Sequence, residues 1–141
     1  MAKLTEHQIA HLGLIQGVVV RMGSNAFALK ALAVTIASAV IALAGARPSG
    51  MEFFPLAGLL PVVLFWGLDA QYLHIEKCFR KLYDAVRTGE SVEAFSMDYT
   101  PYKSKVEGWL KLSIWNWSIT PFFATVALVL VATYYFLKCG S

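Results

Sequence analysis

From Leu59 to Arg87 the chain reads LLPVVLFWGLDAQYLHIEKCFRKLYDAVR, an apolar run that passes with no loop residue into a strongly charged helix. Tyr72, Ile75, Phe79, Tyr83 and Val86 recur at spacings of three and four, so an apolar stripe persists past Asp69, where the purely hydrophobic part ends. One half of such a helix belongs in lipid and the other in water. Anything that moves the charged half pulls on the apolar half, which suits a segment that couples a signal in water to a membrane.

The rest of the chain agrees with a bilayer setting. Of 141 residues, 57% are hydrophobic and only 15% charged, with a mean hydropathy of +0.58. A soluble domain of this size buries too little of its surface to hide so much apolar area. Crossing the hydrocarbon takes about 20 predominantly apolar residues, and three stretches qualify: 26–46, 53–72 and 117–137. The expected fold is an all-α membrane protein in one domain. It has three transmembrane helices, an N-terminal amphipathic helix within residues 1–25 and, within an insert over 73–116, a long cytoplasmic extension of the second span. Lys3, Arg21 and Lys30 precede or enter the first span, and Lys77, Arg80, Lys81, Arg87, Lys103, Lys105 and Lys111 lie between the second and third. Only Arg47 and Lys138 fall on the other side. The positive-inside rule therefore sets the N-terminus and the insert in the cytoplasm of a multi-pass protein.

Thr5 and Gln8 have capping-box spacing, and Ile9, Leu12, Ile15, Val19 and Met22 share one helical face. That face either lies along the membrane surface or, as expected for two one-sided helices, packs on the stripe of the second span's extension. Gly23-Ser24-Asn25 is a candidate hinge before the first span. Ala44-Gly45-Ala46 imitates a signal-peptidase site, but about thirty residues of mixed charge precede the apolar run, which argues for a retained span. Lys30, about one turn into that span, either snorkels to the interface or meets an acidic partner. Ala33 with Ala37, and Ser38 with Ala42 and Ala46, are small residues spaced for close helix packing. Arg47-Pro48-Ser49-Gly50 reads as a turn. Pro55 falls in the first turn of the second span, whereas Pro61 is expected inside it, with a kink. Asp69 is the carboxylate nearest lipid, with Lys30 and Arg21 its nearest candidate partners by depth; an ion pair that fixes the helix bundle is expected, and a charge at a pore mouth is the alternative.

Further on, Glu76 is spaced to pair with Arg80, and Arg80 or Lys81 with Asp84. Lys77, Arg80, Lys81 and Arg87 form a basic stripe that serves either anionic headgroups or a polyanionic ligand. Thr88-Gly89-Glu90-Ser91 ends the helix. Phe95, Tyr99 and Tyr102 beyond it either stack bases or pin the loop to neighbouring helices, and pinning is the default without a nucleic-acid motif. Val106, Trp109, Leu110 and Leu112 point to a short interfacial helix, with Trp109, Trp115 and Trp117 as an aromatic belt before the third span. Pro121 falls harmlessly in that span's first turn.

Catalytic motifs are absent. There is no phosphate-binding glycine loop, nucleophile elbow or HExxH, so no enzyme and no cofactor are expected. His7 and His11 are spaced i, i+4, but no third metal ligand accompanies them, and Cys78 and Cys139 fall on opposite sides of the expected topology, too far apart to pair.

At Gln16 to Lys30 (QGVVVRMGSNAFALK), Phe65 to Arg87 (FWGLDAQYLHIEKCFRKLYDAVR) and Phe95-Ser96-Met97 the chain resembles small bacterial three-helix membrane proteins that accompany nucleotidyltransferases in anti-phage defence of the Hailong type. The resemblance implies a homo-oligomeric, channel-forming effector in the inner membrane. A DNA oligomer made by the partner enzyme would hold it inactive, and its release would depolarise the membrane in an abortive antiviral response. The architecture is also similar to two-helix effectors of cyclic-oligonucleotide signalling, where a nucleotide would activate instead. Under either reading Arg21, Lys77, Arg80, Lys81 and Arg87 are the candidate phosphate-binding residues, because a phosphate backbone needs several cations on one surface. Thr35 and Ser38 are candidate pore-lining residues, and Lys30 and Asp69 candidates for biasing ion choice at the inner mouth. The rival expectation is a non-conducting scaffold that recruits a soluble partner through the same helices.

Overall fold

The computed structural model describes residues 5–46 and 53–140. The expected turn over Arg47 to Gly50 and the cation Lys3 lie outside the described residues. Among the described residues every regular element is helical. In order they are α1 (Glu6–Gly45), the single turn α2 (Phe54–Ala57), α3 (Leu59–Thr88), a 3-10 helix (Thr100–Lys105), α4 (Trp109–Trp115) and α5 (Thr120–Gly140). Three helical segments are long and apolar enough to cross a membrane: α1, α2 with α3, and α5.

α1 starts where the capping box predicts, with Thr5 accepting from the Gln8 backbone amide and Gln8 accepting from the Thr5 amide at 2.9 Å. It then runs for 40 residues without a break, about 60 Å at 1.5 Å per residue. The hinge expected at Gly23-Ser24-Asn25 does not form. A glycine costs a helix only about 1 kcal/mol, and α1 is gripped on both sides of the triplet by packing against α3.

α3 is likewise one helix from Leu59 to Thr88, so the apolar and charged halves are a single rod. It ends at Gly89, whose left-handed backbone (φ 78°) lets the Glu90 amide reach back to the Ala85 carbonyl at 3.0 Å. Its start corrects the expectation for Pro61. The break falls at Gly58, between α2 and α3, which makes Pro61 the third residue of α3. A proline has no amide to give the carbonyl four residues back, here that of Ala57, and its ring crowds that carbonyl, so the irregularity appears on the N-terminal side of the proline. Gly58 tolerates it because it stands where the three long segments meet. A Cβ there would lie 3.3 Å from both Val40 and Leu130 and 3.2 Å from the Pro55 carbonyl.

α1 and α3 lie antiparallel. Near the middle Lys30 meets Asp69, and toward the far end Val40 meets Gly58. α5 packs antiparallel to α3, with Trp66 stacked on Phe123 at 6.2 Å and Phe53 against Tyr134 at 5.5 Å. Two apolar clusters result. One joins Ala33, Ala37, Val62, Ala70, Ile119, Phe123 and Leu130 among the three long segments. Ala33 and Ala37 thus serve packing within the chain, whereas Ser38, Ala42 and Ala46 are exposed. The other joins Leu12, Ile15 and Val19 of α1 to Phe79, Leu82 and Val86 of α3, as the two stripes predict. This second cluster forms a head beyond the apolar half of the bundle.

Candidate functional site

A hydrocarbon layer of about 30 Å takes about 20 helical residues. Counted back from Gly45 that layer reaches Ala26, and counted forward from Phe54 it reaches Leu73. On that count Lys30 and Asp69, which form an ion pair, would lie about 6 Å inside such a layer. Asp69 is 1% exposed and Lys30 19%. A lone charge at that depth is expensive, and pairing across α1 and α3 offsets the cost. Of the two roles open to Lys30, the acidic partner is the one adopted. Asp69 faces the bundle interior, so within one chain it does not open onto a channel.

The head is built around the same helix pair. The chain from Glu90 to Lys105 folds back across it: Val92, Met97, Tyr99 and Tyr102 pack on its apolar cluster, with Tyr99 against Phe79 at 5.0 Å. His11, buried on α1, donates from Nε2 to the Ser96 carbonyl at 2.8 Å. Phe95 takes a left-handed φ of 60°, a conformation that costs a non-glycine residue about 1 kcal/mol or more, and its ring lies against His7 and His11 at 6.1 and 5.9 Å. Lys103 and Lys105 lie over the Tyr99 and Tyr102 rings at 5.1 and 5.2 Å. The three aromatic residues of this segment pin it to the helices. Burial pushes the Tyr102 phenol up, and Thr100, through its side-chain and backbone bonds, holds the Asp98 carboxyl below the usual range.

The basic candidates divide between two helices, Arg21 on α1 and the other four on α3. Arg21 lines an apolar groove with Gly13, Gly17, Val18 and Met97. Arg80 lines another with Gln16, Val19 and Tyr83, and is bonded to Glu76 at 2.7 Å. Lys81 lines a third with Thr88, Glu90, Tyr102 and Lys105. The acid Asp84 pairs with Arg87 at 3.5 Å rather than with Arg80 or Lys81. Thus on α3 Arg80, Lys81 and Arg87 are exposed and Lys77 is half-buried, with Arg80 and Arg87 already facing an acid, while Arg21 stands on α1. No family model, curated protein or solved structure matches this chain. The site is therefore read from its own geometry.

Of the pore candidates, Thr35 and Ser38 are exposed on α1, and the Thr35 hydroxyl donates to the Ala31 carbonyl at 2.9 Å. Among the described residues no group of three or more His, Cys, Asp or Glu side chains converges as metal ligands would.

Four contacts within and between α3 and the α4 region have no counterpart in the sequence reading, and two of them join the two elements. His74 donates from Nδ1 to the Glu107 carbonyl at 2.9 Å, which leaves Nε2 to accept from the Cys78 thiol at 3.8 Å. Trp66 donates from Nε1 to the Ser113 carbonyl at 2.7 Å. Glu107 and Lys111 pair at 2.7 Å, and that bond holds the Glu107 carboxyl below its ordinary value. Only the last, an opposite-charge pair at i, i+4 spacing, is of a kind that sequence spacing signals. Burial pushes the Cys78 thiol up, so the Cys78–His74 pair is structural rather than an activated thiolate.

Proposed function

We propose that this protein is a bacterial inner-membrane effector whose cytoplasmic head takes up an oligonucleotide or nucleotide and thereby controls an ion path formed by several copies of the bilayer segment. The observation that carries the reading is that α1 and α3 both run unbroken from the head into the apolar half, so a displacement of the head is transmitted without an intervening coil. The basic outer side of α3 supplies the ligand surface, and Thr35 and Ser38 supply the mildly polar face that several copies turn toward a common axis. The resemblance to Hailong-type effectors gives the setting: a DNA oligomer from a nucleotidyltransferase partner, and membrane depolarisation as antiviral defence.

A specific observation favours the second reading, a non-conducting scaffold for a soluble partner. Asp69 is sealed in an intramolecular pair, and Arg80 and Arg87 are engaged with acids of their own helix. Planar-bilayer recording with and without a single-stranded oligodeoxynucleotide separates the two. Ligand-dependent conductance is the expected result, and silence in both conditions leaves the scaffold. Binding of the labelled oligonucleotide is expected to weaken with salt at a log–log slope of about −0.7 per phosphate contacted; a flat dependence rules out the phosphate surface.

A further inference from the structure

α4 and the turn after it carry a dense exposed apolar surface that belongs to none of the three long segments. Leu110, Ile114, Trp115 and Trp117 are 61, 61, 81 and 90% exposed, whereas Leu112, on the other side of α4, is buried. Two hydrogen bonds fix the depth of this surface. His74 holds the Glu107 carbonyl just before α4, and Trp66 holds the Ser113 carbonyl near its end. His74 and Trp66 are eight residues apart on α3, about 12 Å along its axis, so α4 runs beside α3 and antiparallel to it instead of lying across the bundle end. Its final turn is level with Trp66, on the apolar side of Asp69, and Thr120 locks it to the start of α5 by donating to the Ser113 and Ile114 carbonyls at 3.0 and 2.8 Å.

We propose that α4 is a half-inserted wedge in the head-side leaflet, with Leu110, Ile114, Trp115 and Trp117 docked among the acyl chains just below the headgroups. Lipid is the occupant because the patch is continuous in depth with the exposed apolar side chains of α3, Leu64 and Leu68. Its residue types also match that boundary, tryptophan being favoured where acyl chains give way to headgroups. At the other end the Glu107–Lys111 pair keeps the entry to α4 in water. The wedge also sets the depth of α3, since it grips that helix at Trp66 and His74. None of this depends on a ligand or on conduction.

The test uses the full chain in phosphatidylcholine vesicles with Trp109 and Trp117 replaced by Phe and Trp66 kept, since it holds the Ser113 carbonyl; subtracting the spectrum of the same chain carrying Trp115→Phe isolates Trp115. Its emission is expected to be blue-shifted and quenched about twofold by lipid brominated near the headgroup, and less by lipid brominated near the chain end. Quenching by aqueous iodide but not by brominated lipid overturns the proposal in favour of a water-facing patch. Resistance to both overturns it in favour of a protein cover, such as a second copy. A spin label on Ile114→Cys, in a Cys139→Ser background, gives an independent reading: higher accessibility to oxygen than to a water-soluble nickel chelate supports insertion, and the reverse order refutes it.

Discussion

Lys30 and Asp69 show how a single pair ties sequence to depth. Removing one partner, as in Asp69→Leu or Lys30→Met, strands a buried charge and is expected to destabilise the fold by about 3–5 kcal/mol. Lys30→Met with Asp69→Leu leaves no charge, and it should recover most of that loss in a double-mutant cycle followed by unfolding in detergent. Additive losses would mean that the two side chains do not interact. The pH dependence of two other residues can be signed. Glu107 has a folded pKa below its ordinary value, so its contribution is present above the unfolded pKa and lost as pH falls through the folded one. Lys111→Met should raise the Glu107 pKa toward the ordinary range in a carboxyl NMR titration. The Cys78 thiol is raised by burial, so its contribution is complete below its ordinary range and declines as pH rises through it. Maleimide should label exposed Cys139 readily and Cys78 only on unfolding.

Among the elements, helix identity was legible because periodicity records which face is covered. The capping box at Thr5, the stop at Gly89 and the two stripes that form the head cluster all follow from local spacing. The position of the break near Pro61 did not, because it depends on a glycine three residues earlier that meets two other helices. Gly58→Ala brings a Cβ to 3.2–3.3 Å from three neighbours and is expected to cost about 1–3 kcal/mol by overpacking. Gly67→Ala, at a site with nothing within 4 Å, is the matched control and should be neutral or slightly stabilising in the same thermal unfolding assay. In the head, Phe79→Ala empties the centre of the α1–α3 cluster and is expected to cost about 3–5 kcal/mol. Faster amide exchange confined to the head would locate the damage there.

For the whole molecule the decisive property is mechanical continuity. Under the proposed function, inserting Gly-Gly-Ser after Gln71 should leave oligonucleotide binding at the head intact but weaken its effect on conductance, since one of the two continuous helices that join the clusters is cut. An unchanged ligand response would show that α3 does not carry the signal. Composition and hydropathy alone determined that the chain is helical, that three segments are apolar enough to span a membrane, and that one of them continues into a charged helix. These follow from spacing within a single stretch. Only the tertiary structure decided that Asp69 takes Lys30 rather than Arg21, the two partners its depth allowed, that Arg21 is parted from the α3 cations, and that α4 hangs from Trp66 and His74. Each of these depends on the register between segments distant in sequence, and no local pattern encodes that register.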